Sequence, residues 1–476
     1  MTGLQTRPNH ETMKIMRCWT SCALALASAA MLSAQAPPSS APPSAPAAPS
    51  STLVAAASLS PTPPPAPPDP AQLVKLSPLG SKPDWTLLDA FARSMSREDF
   101  EKAWREIYSQ PNSLPPPFEI TQKALLVPTG QTGEPPRRVS FQSTADSTDR
   151  PAASGYWRSA SQLPPLKGRP MLSDLVIALD PGHIGGQWAA MEERLLSFQP
   201  GEDIREGDLS LLTARVLKQS LTDLGAIVHL VRDNAEPVTS RRPQDLDQEA
   251  RQLLVESGFA NPTESYLGMA GDAKLLTVQW QREKLFYRVS EIHARGEKVN
   301  REIKPDIVLC LHFNAESWGD ASAPQFSPVN HLHTLINGCY ANSELMQQDV
   351  RFEMLMRLFG RVHEEELPLA SAVAESMARS TGLTPYVYTT PNARRVNDNP
   401  YVYARNLLAN RLYLCPVVYL EPYVMNHEET YRRLLAGHYH GRTLIGGRLV
   451  NSAIKDYAQG VVDGLVKHYQ KHRRNS

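Results

Sequence analysis

The chain has 476 residues, and its 49 lysines and arginines balance 49 aspartates and glutamates, so no net field draws it to nucleic acid or an anionic bilayer. At roughly 150 residues per domain, that length fits two or three domains, or one large α/β domain with insertions. Hydrophobic residues (41%) and charged residues (21%) are in the globular range, but 41 prolines exceed it, so some segment is not globular. Lys14 and Arg17 precede an apolar run from Cys22 to Leu32, followed by small residues at Ala34-Gln35-Ala36, with Ala27-Ser28-Ala29 as a second small-residue site. This is the layout of a secretory signal within residues 1–36, with Met13 or Met16 as alternative starts. Its eleven residues are too few to cross about 30 Å of hydrocarbon as a helix, so no stable membrane span is expected. Residues 37–70 hold 13 prolines among Ala and Ser, with Asp69 as the one charge, which reads as a disordered, semi-extended linker.

Residues 71–172 read as a small module. Leu87, Leu88, Phe91 and Met95, then Phe100, Trp104 and Ile107, have helical spacing and predict two helices, with Ser96 capping the second. Phe118–Val127 and Val139–Phe141 predict strands. From Leu175 buried strands and amphipathic helices alternate: an apolar run at Leu175–Leu179, a helix carrying Leu209, Leu212, Val216, Leu217 and Leu221 that stops at Gly225, and a run at Ile227–Val231. Further runs at Asp306–Leu311 and Pro416–Leu420 follow, and Val450 to Tyr469 predicts a closing helix. The pattern predicts an α/β fold, a mostly parallel sheet with helices on both faces. Of the five cysteines, Cys18 and Cys22 lie in the signal, and the remaining Cys310, Cys339 and Cys415 cannot form a complete disulfide framework; buried free thiols are expected at Cys310 and Cys415.

In such sheets ligands bind beyond the carboxyl ends of strands. Three predicted strands end in polar groups there: Asp180-Pro181-Gly182-His183, Leu311-His312-Phe313-Asn314 and Tyr419-Leu420-Glu421-Pro422. Glu206 starts the helix after the first of them and can reach the same rim. Each residue taken alone also fits an ordinary turn or helix start. Taken jointly, two imidazoles, a carboxylate and an open fourth position form the ligand set of a catalytic zinc, and a further carboxylate is what accepts a proton from zinc-bound water.

These segments resemble, in order, the motifs of the zinc-dependent N-acetylmuramoyl-L-alanine amidases that cleave bacterial peptidoglycan. The similarity runs through Val176–His183, Glu206–Leu209, Leu224–Asp233, Arg295 and Asn300, Leu311–Ala315, and Val418–Pro422 with Asn426. It covers about residues 174–470 and implies a catalytic domain over 173–472, with His183, Glu206 and His312 ligating one Zn²⁺ and Glu421 as the catalytic carboxylate. Asn314 is expected to position substrate, to orient a ligand or to act as a structural cap. The implied partner is peptidoglycan, and the implied location is outside the cytoplasm, in the periplasm of a diderm cell. Some relatives carry a helix over the zinc cleft that an activator protein displaces.

Departures from the pattern are also visible. Ile184 interrupts His-Gly-Gly, Tyr423-Val424 replaces Gly-Phe, and the extra loop Gln187–Asp203 contains Glu192, Glu193 and Glu202 as alternatives to Glu206, which alone precedes the Leu209 helix in register. Insertions are expected near 237–288 and 316–369, either of which could cover the cleft. The second contains His331, His333, Cys339 and His363, and His331-Leu332-His333 is read as an edge strand with one solvated face. The competing functions are a zinc amidohydrolase or carboxypeptidase acting on another peptide, and a wall-binding protein without turnover.

Overall fold

The structure is a computed structural model describing residues 73–111, 115–130, 134–143, 156–266, 271–317 and 324–473. The expected signal and proline-rich linker lie outside the described residues.

The N-terminal described segment starts with a 3₁₀ turn over Trp85–Phe91, where an α-helix was expected. Helix α1 (Arg97–Ala103) follows, capped as expected by Ser96, whose side chain accepts from the Asp99 N–H, and it runs into a π-turn at Trp104–Tyr108. Strands β1 (Glu119–Ile120), β2 (Ala124–Val127) and β3 (Arg137–Ser140) form an antiparallel sheet. This segment shares one hydrophobic core with the rest of the chain. Phe91 and Phe100 pack on Phe359 with ring centroids 5.9 and 5.3 Å apart, and Trp85 meets Phe352 edge-on at 5.4 Å. Phe100→Ala is therefore expected to cost about 3–5 kcal/mol through the cavity it opens. Urea unfolding should move as one transition; a separate early transition for residues 73–143 would contradict the shared core.

Strand β4 (Val176–Pro181) opens the central sheet, and the hairpin β5 (Leu195–Ser197) and β6 (Asp203–Arg205) leads into α2 (Glu206–Asp223). Helix α2 buries Leu209, Ala214, Leu217 and Leu221 on one stripe and ends before Gly225, whose φ of +92° suits glycine. Strand β7 (Ile227–Leu230) follows. Next come α3 (Asp247–Glu256), then α4 (Val278–Lys284) and α5 (Glu291–Glu297) as parts of one continuous helix with π-turns at Leu285–Ser290 and Lys298–Ile303. Strand β8 (Ile307–Leu311) and strand β9 (His331–Ile336) lead to α6 (Asn342–Leu345), α7 (Gln348–Phe359) and α8 (His363–Thr381). Short strands β10 (Thr384–Pro385), β11 (Arg394–Arg395) and β12 (Val402–Ala404) precede α9 (Leu408–Leu412) and β13 (Val417–Pro422). Helix α10 (Glu428–Leu435), the hairpin β14 (Thr443–Ile445) and β15 (Arg448–Val450), and α11 (Ala453–His472) close the chain.

The central sheet runs β11-β12-β9-β13-β8-β4-β7, with β10 also paired to β9. Its pairs are parallel except β9 with β13 and β11 with β12. Alternation along the strands sorts the two faces. Ile177, Leu179, Leu309, Leu311, Val418 and Leu420 join the core beneath α2, α8 and α11. Ala178, Val308, Cys310 and Val417 face the opposite side with Val299 and Tyr413. Cys310, Cys339 and Cys415 are free and buried.

One expectation needs correction. Strand β9 is internal, with β13 on one side and β10 and β12 on the other, and all six of its residues are buried, so His331 and His333 do not lie on an edge strand with a solvated face. The segment expected as the second insertion supplies β9 and the start of α8, which packs along α11 in the core. The polar residues of β9 had masked a buried strand.

Candidate metal centre

The ends of strands β4 and β8 and the start of helix α2 meet, with β13 alongside β8. After β4 the chain turns sharply, with His183 at φ +57°, and Arg295 fixes that turn by donating to the carbonyls of Pro181 (2.7 Å) and His183 (2.7 Å). His312 follows β8 and stacks on Tyr419 of β13 with ring centroids 4.4 Å apart. Glu206 is the first residue of α2, where the helix's unpaired N–H groups favour a carboxylate.

His183 Nε2 lies 3.2 Å from Glu206 Oε2, and His312 Nδ1 lies 3.0 Å from Glu206 Oε1. Among the described residues, His183, Glu206 and His312 are the one group of three or more His, Cys, Asp or Glu whose donor atoms all lie within 4.8 Å of one another. Glu206 and His312 are buried and His183 is partly exposed. Two ring nitrogens and a carboxylate are a donor set suited to zinc, so these residues fit that ion. Although burial opposes charge on Glu206, the two imidazoles and Arg194 outweigh it and hold the carboxyl well below its usual range. Burial lowers His312 below the ordinary imidazole range, which favours the neutral ring that a metal ligand must be.

Close approach explains two glycines. A Cβ on Gly182 would fall 2.2 Å from His312 Cε1, and one on Gly207 would fall 2.3 Å from the Gly185 N. Gly182→Ala should therefore push the His312 ring out of line and weaken zinc binding by about 10- to 100-fold in a chelator competition titration; unchanged affinity would contradict this packing.

Glu421 lies on β13 directly opposite His333 of β9 and is only half-buried at its surface. Burial and the neighbouring Glu206 charge push its carboxyl well above the usual range, partly offset by Arg194 and Arg405. Asn314 sits farther along: its backbone pairs with Tyr423 and Met425, and its side chain accepts from the Ala315 N–H at 2.7 Å. Tyr423 holds a φ of +63° where glycine would be unstrained.

The extra loop supplies two residues to the site, Glu192, which the sequence offers only as an alternative ligand, and Arg194, which it does not single out. Glu192, from the extra loop, does not join the cluster; it lies 3.5 Å from the other ring nitrogen of His183, Nδ1, and accepts from the Ile184 and Gly185 N–H groups. Burial opposes its charge, but His183 and these N–H groups keep it below the usual carboxylate range, so it orients the ring. Arg194 Nε lies 3.1 Å from both His183 Nε2 and Glu206 Oε2. Their one signal was membership in the Gln187–Asp203 loop. The segment expected as the first insertion packs on that loop. Phe286 meets Trp188 at 5.1 Å, Lys274 pairs with Glu193 at 2.5 Å, and Ile184 is buried in the same cluster.

The sheet order and this cluster define an α/β protein with a His-Glu-His centre at the carboxyl ends of its strands. No family model matches the chain, and no curated protein matches it. Solved structures do: 19 chains match. The N-acetylmuramyl-L-alanine amidase Ami1 from Mycobacterium abscessus is 17% identical, over 62% of this chain and 99% of its own, with a TM-score of 0.33. The CwlD amidase from Clostridioides difficile, solved in complex with the GerS lipoprotein, is 12% identical over 62% and 99%, with a TM-score of 0.35. The catalytic domain of CwlV, an N-acetylmuramoyl-L-alanine amidase from Bacillus (Paenibacillus) polymyxa, is 13% identical over 62% and 98%, with a TM-score of 0.33. At these values they are likenesses only, and function is read from the site's own chemistry.

Proposed function

We propose that the chain hydrolyses the amide joining the lactyl group of N-acetylmuramic acid to L-alanine in peptidoglycan, with one Zn²⁺ held by His183, Glu206 and His312. The observation that carries this reading is the meeting of two imidazoles and a buried carboxylate from distant segments, with Glu421 on the adjoining strand. Bound zinc would lower the pKa of water toward neutrality and polarise the amide carbonyl. Glu192 holds the His183 ring in the orientation that leaves Nε2 facing the centre. Glu421 takes the proton of the attacking water and delivers it to the departing alanine nitrogen, the role of a carboxylate placed beside the centre.

Such a substrate places the chain outside the cytoplasm, as the basic and apolar N-terminal sequence also implies; no helix among the described residues is long and apolar enough to cross a membrane. An activator protein would have a place to act, since residues 237–288 pack on the loop bearing Glu192 and Arg194. The test is mass spectrometry of soluble products from purified sacculi treated with the zinc-loaded protein. Release of stem peptides with a free L-alanine amino terminus is the expected result. Release of terminal amino acids alone would mark a carboxypeptidase, and no release would mark a binding protein; either overturns the proposal.

A further inference from the structure

Arg194 has no task in the hydrolytic mechanism, yet its side chain reaches two of the three ligands. It stands just before β5, and its backbone is anchored beside the site. Its N–H donates to the Ala189 carbonyl at 2.8 Å, and its carbonyl accepts from the Glu206 N–H at 3.1 Å. Glu193, the preceding residue, holds a φ of +57°, a left-handed conformation costly for a residue with a Cβ, and Lys274 fixes its side chain from the neighbouring segment at 2.5 Å. The backbone is thus held next to Glu206, and movement is left to the arginine side chain.

That side chain meets the ligand atoms themselves. Arg194 Nε donates to His183 Nε2 at 3.1 Å and lies 3.1 Å from Glu206 Oε2. The same two atoms lie 3.2 Å from each other, while His312 Nδ1 meets the second carboxylate oxygen, Oε1. A neutral imidazole has one acceptor nitrogen, and Glu192 beside His183 Nδ1 leaves that role to Nε2. Its lone pair serves either an N–H donor or a metal ion, not both. Charge gives the same exclusion, because a guanidinium is always a cation and shares Glu206 Oε2 with any divalent ion held there.

We propose, resting on the zinc reading above, that Arg194 is a placeholder cation: its guanidinium occupies the metal-facing atoms of His183 and Glu206 and gives way to zinc, so that this competition sets the affinity of the centre. Burial explains why a placeholder is needed. The Glu206 side chain is 2% exposed, and a carboxylate so placed without a cation is strongly destabilising. The Arg194 side chain is 24% exposed, which gives it a path to solvent that Glu206 lacks. With Arg194 in place the two ligands stand at their mutual spacing, so metal entry is an exchange of cations and not the assembly of a site. Glu192 and Arg295 brace His183 from its other ring nitrogen and its carbonyl, away from the exchange.

The experiment uses the full chain, as wild type, Arg194→Met and Arg194→Lys. Zinc affinity is measured by competition with a chelator, and thermal unfolding is followed both in excess chelator and at saturating zinc. Methionine keeps the length and removes every donor, so Arg194→Met should bind zinc about 10- to 100-fold more tightly, the worth of a charge-assisted hydrogen bond. Lysine keeps the charge without the planar fork and should fall between the two. In chelator Arg194→Met should melt below the wild type, and at saturating zinc the two should melt together, because stability lost without metal must return as added affinity. Equal or weaker zinc binding by Arg194→Met would overturn the placeholder, as would a stability loss of the same size with and without zinc. The two readings fail separately: no zinc bound by any of the three proteins sinks the zinc centre, whereas zinc bound by all three with equal affinity sinks the placeholder alone.

Discussion

Glu421→Gln should bind zinc as the wild type does and lose hydrolysis by about 10²- to 10⁴-fold, the usual contribution of a positioned proton-transfer group. Glutamine keeps the size and one acceptor oxygen but cannot carry the proton from water to the amine. Its fold should persist, since Glu421 is half-buried and the hydrogen bonds of β13 to β8 and β9 run through the backbone. Removing the charge also relieves repulsion with Glu206, which pushes Glu421 up in the wild type, so stability should hold or rise slightly. The measurement is the initial rate of stem-peptide release with zinc content determined on the same sample. A variant retaining more than a tenth of wild-type activity would assign the proton transfer elsewhere.

Arg295→Met should destabilise the chain by about 3–5 kcal/mol, because it leaves two buried carboxylates without their cation. Arg295 is 1% exposed, and it reaches Glu291 at 2.7 Å and Asp180 at 2.9 Å. Asp180 also accepts from the Tyr413 hydroxyl, and Glu291 from the Thr239 N–H at 3.0 Å. Methionine fills similar volume and leaves these buried carboxylates with Arg232 as the remaining nearby cation. Because Arg295 also clamps the Pro181 and His183 carbonyls, the variant should lose zinc affinity along with stability. Chemical unfolding checks the first and a chelator competition the second; a loss below about 1 kcal/mol would show that the network is solvated or protonated.

The legible parts of the fold were those with a simple physical signature. Strands β4, β7, β8 and β13 are buried in a parallel arrangement and read as apolar runs, and α2 reads from its stripe of leucines. Strand β9 was misread because His331, His333 and Thr334 are polar, yet its environment is internal; only its pairing with β13 and β12 reveals that. The N-terminal segment gave no sign that Phe100 would pack on Phe359, since a contact across more than 250 positions leaves no local pattern. At the site, His183, Glu206, His312 and Glu421 drew notice as polar groups at the carboxyl rim. Glu192 drew notice only as an alternative ligand and Arg194 not at all, because a loop acidic or basic residue looks the same whether it braces a ligand or faces solvent.

The most direct test is zinc per chain, measured by elemental analysis on the purified wild type and on His312→Ala after dialysis against a mild chelator. One zinc per wild-type chain, and loss of that zinc in the variant with the circular dichroism spectrum unchanged, is the expected result. Equal zinc in both proteins, or none in the wild type at saturating metal, would contradict a centre built from His183, Glu206 and His312.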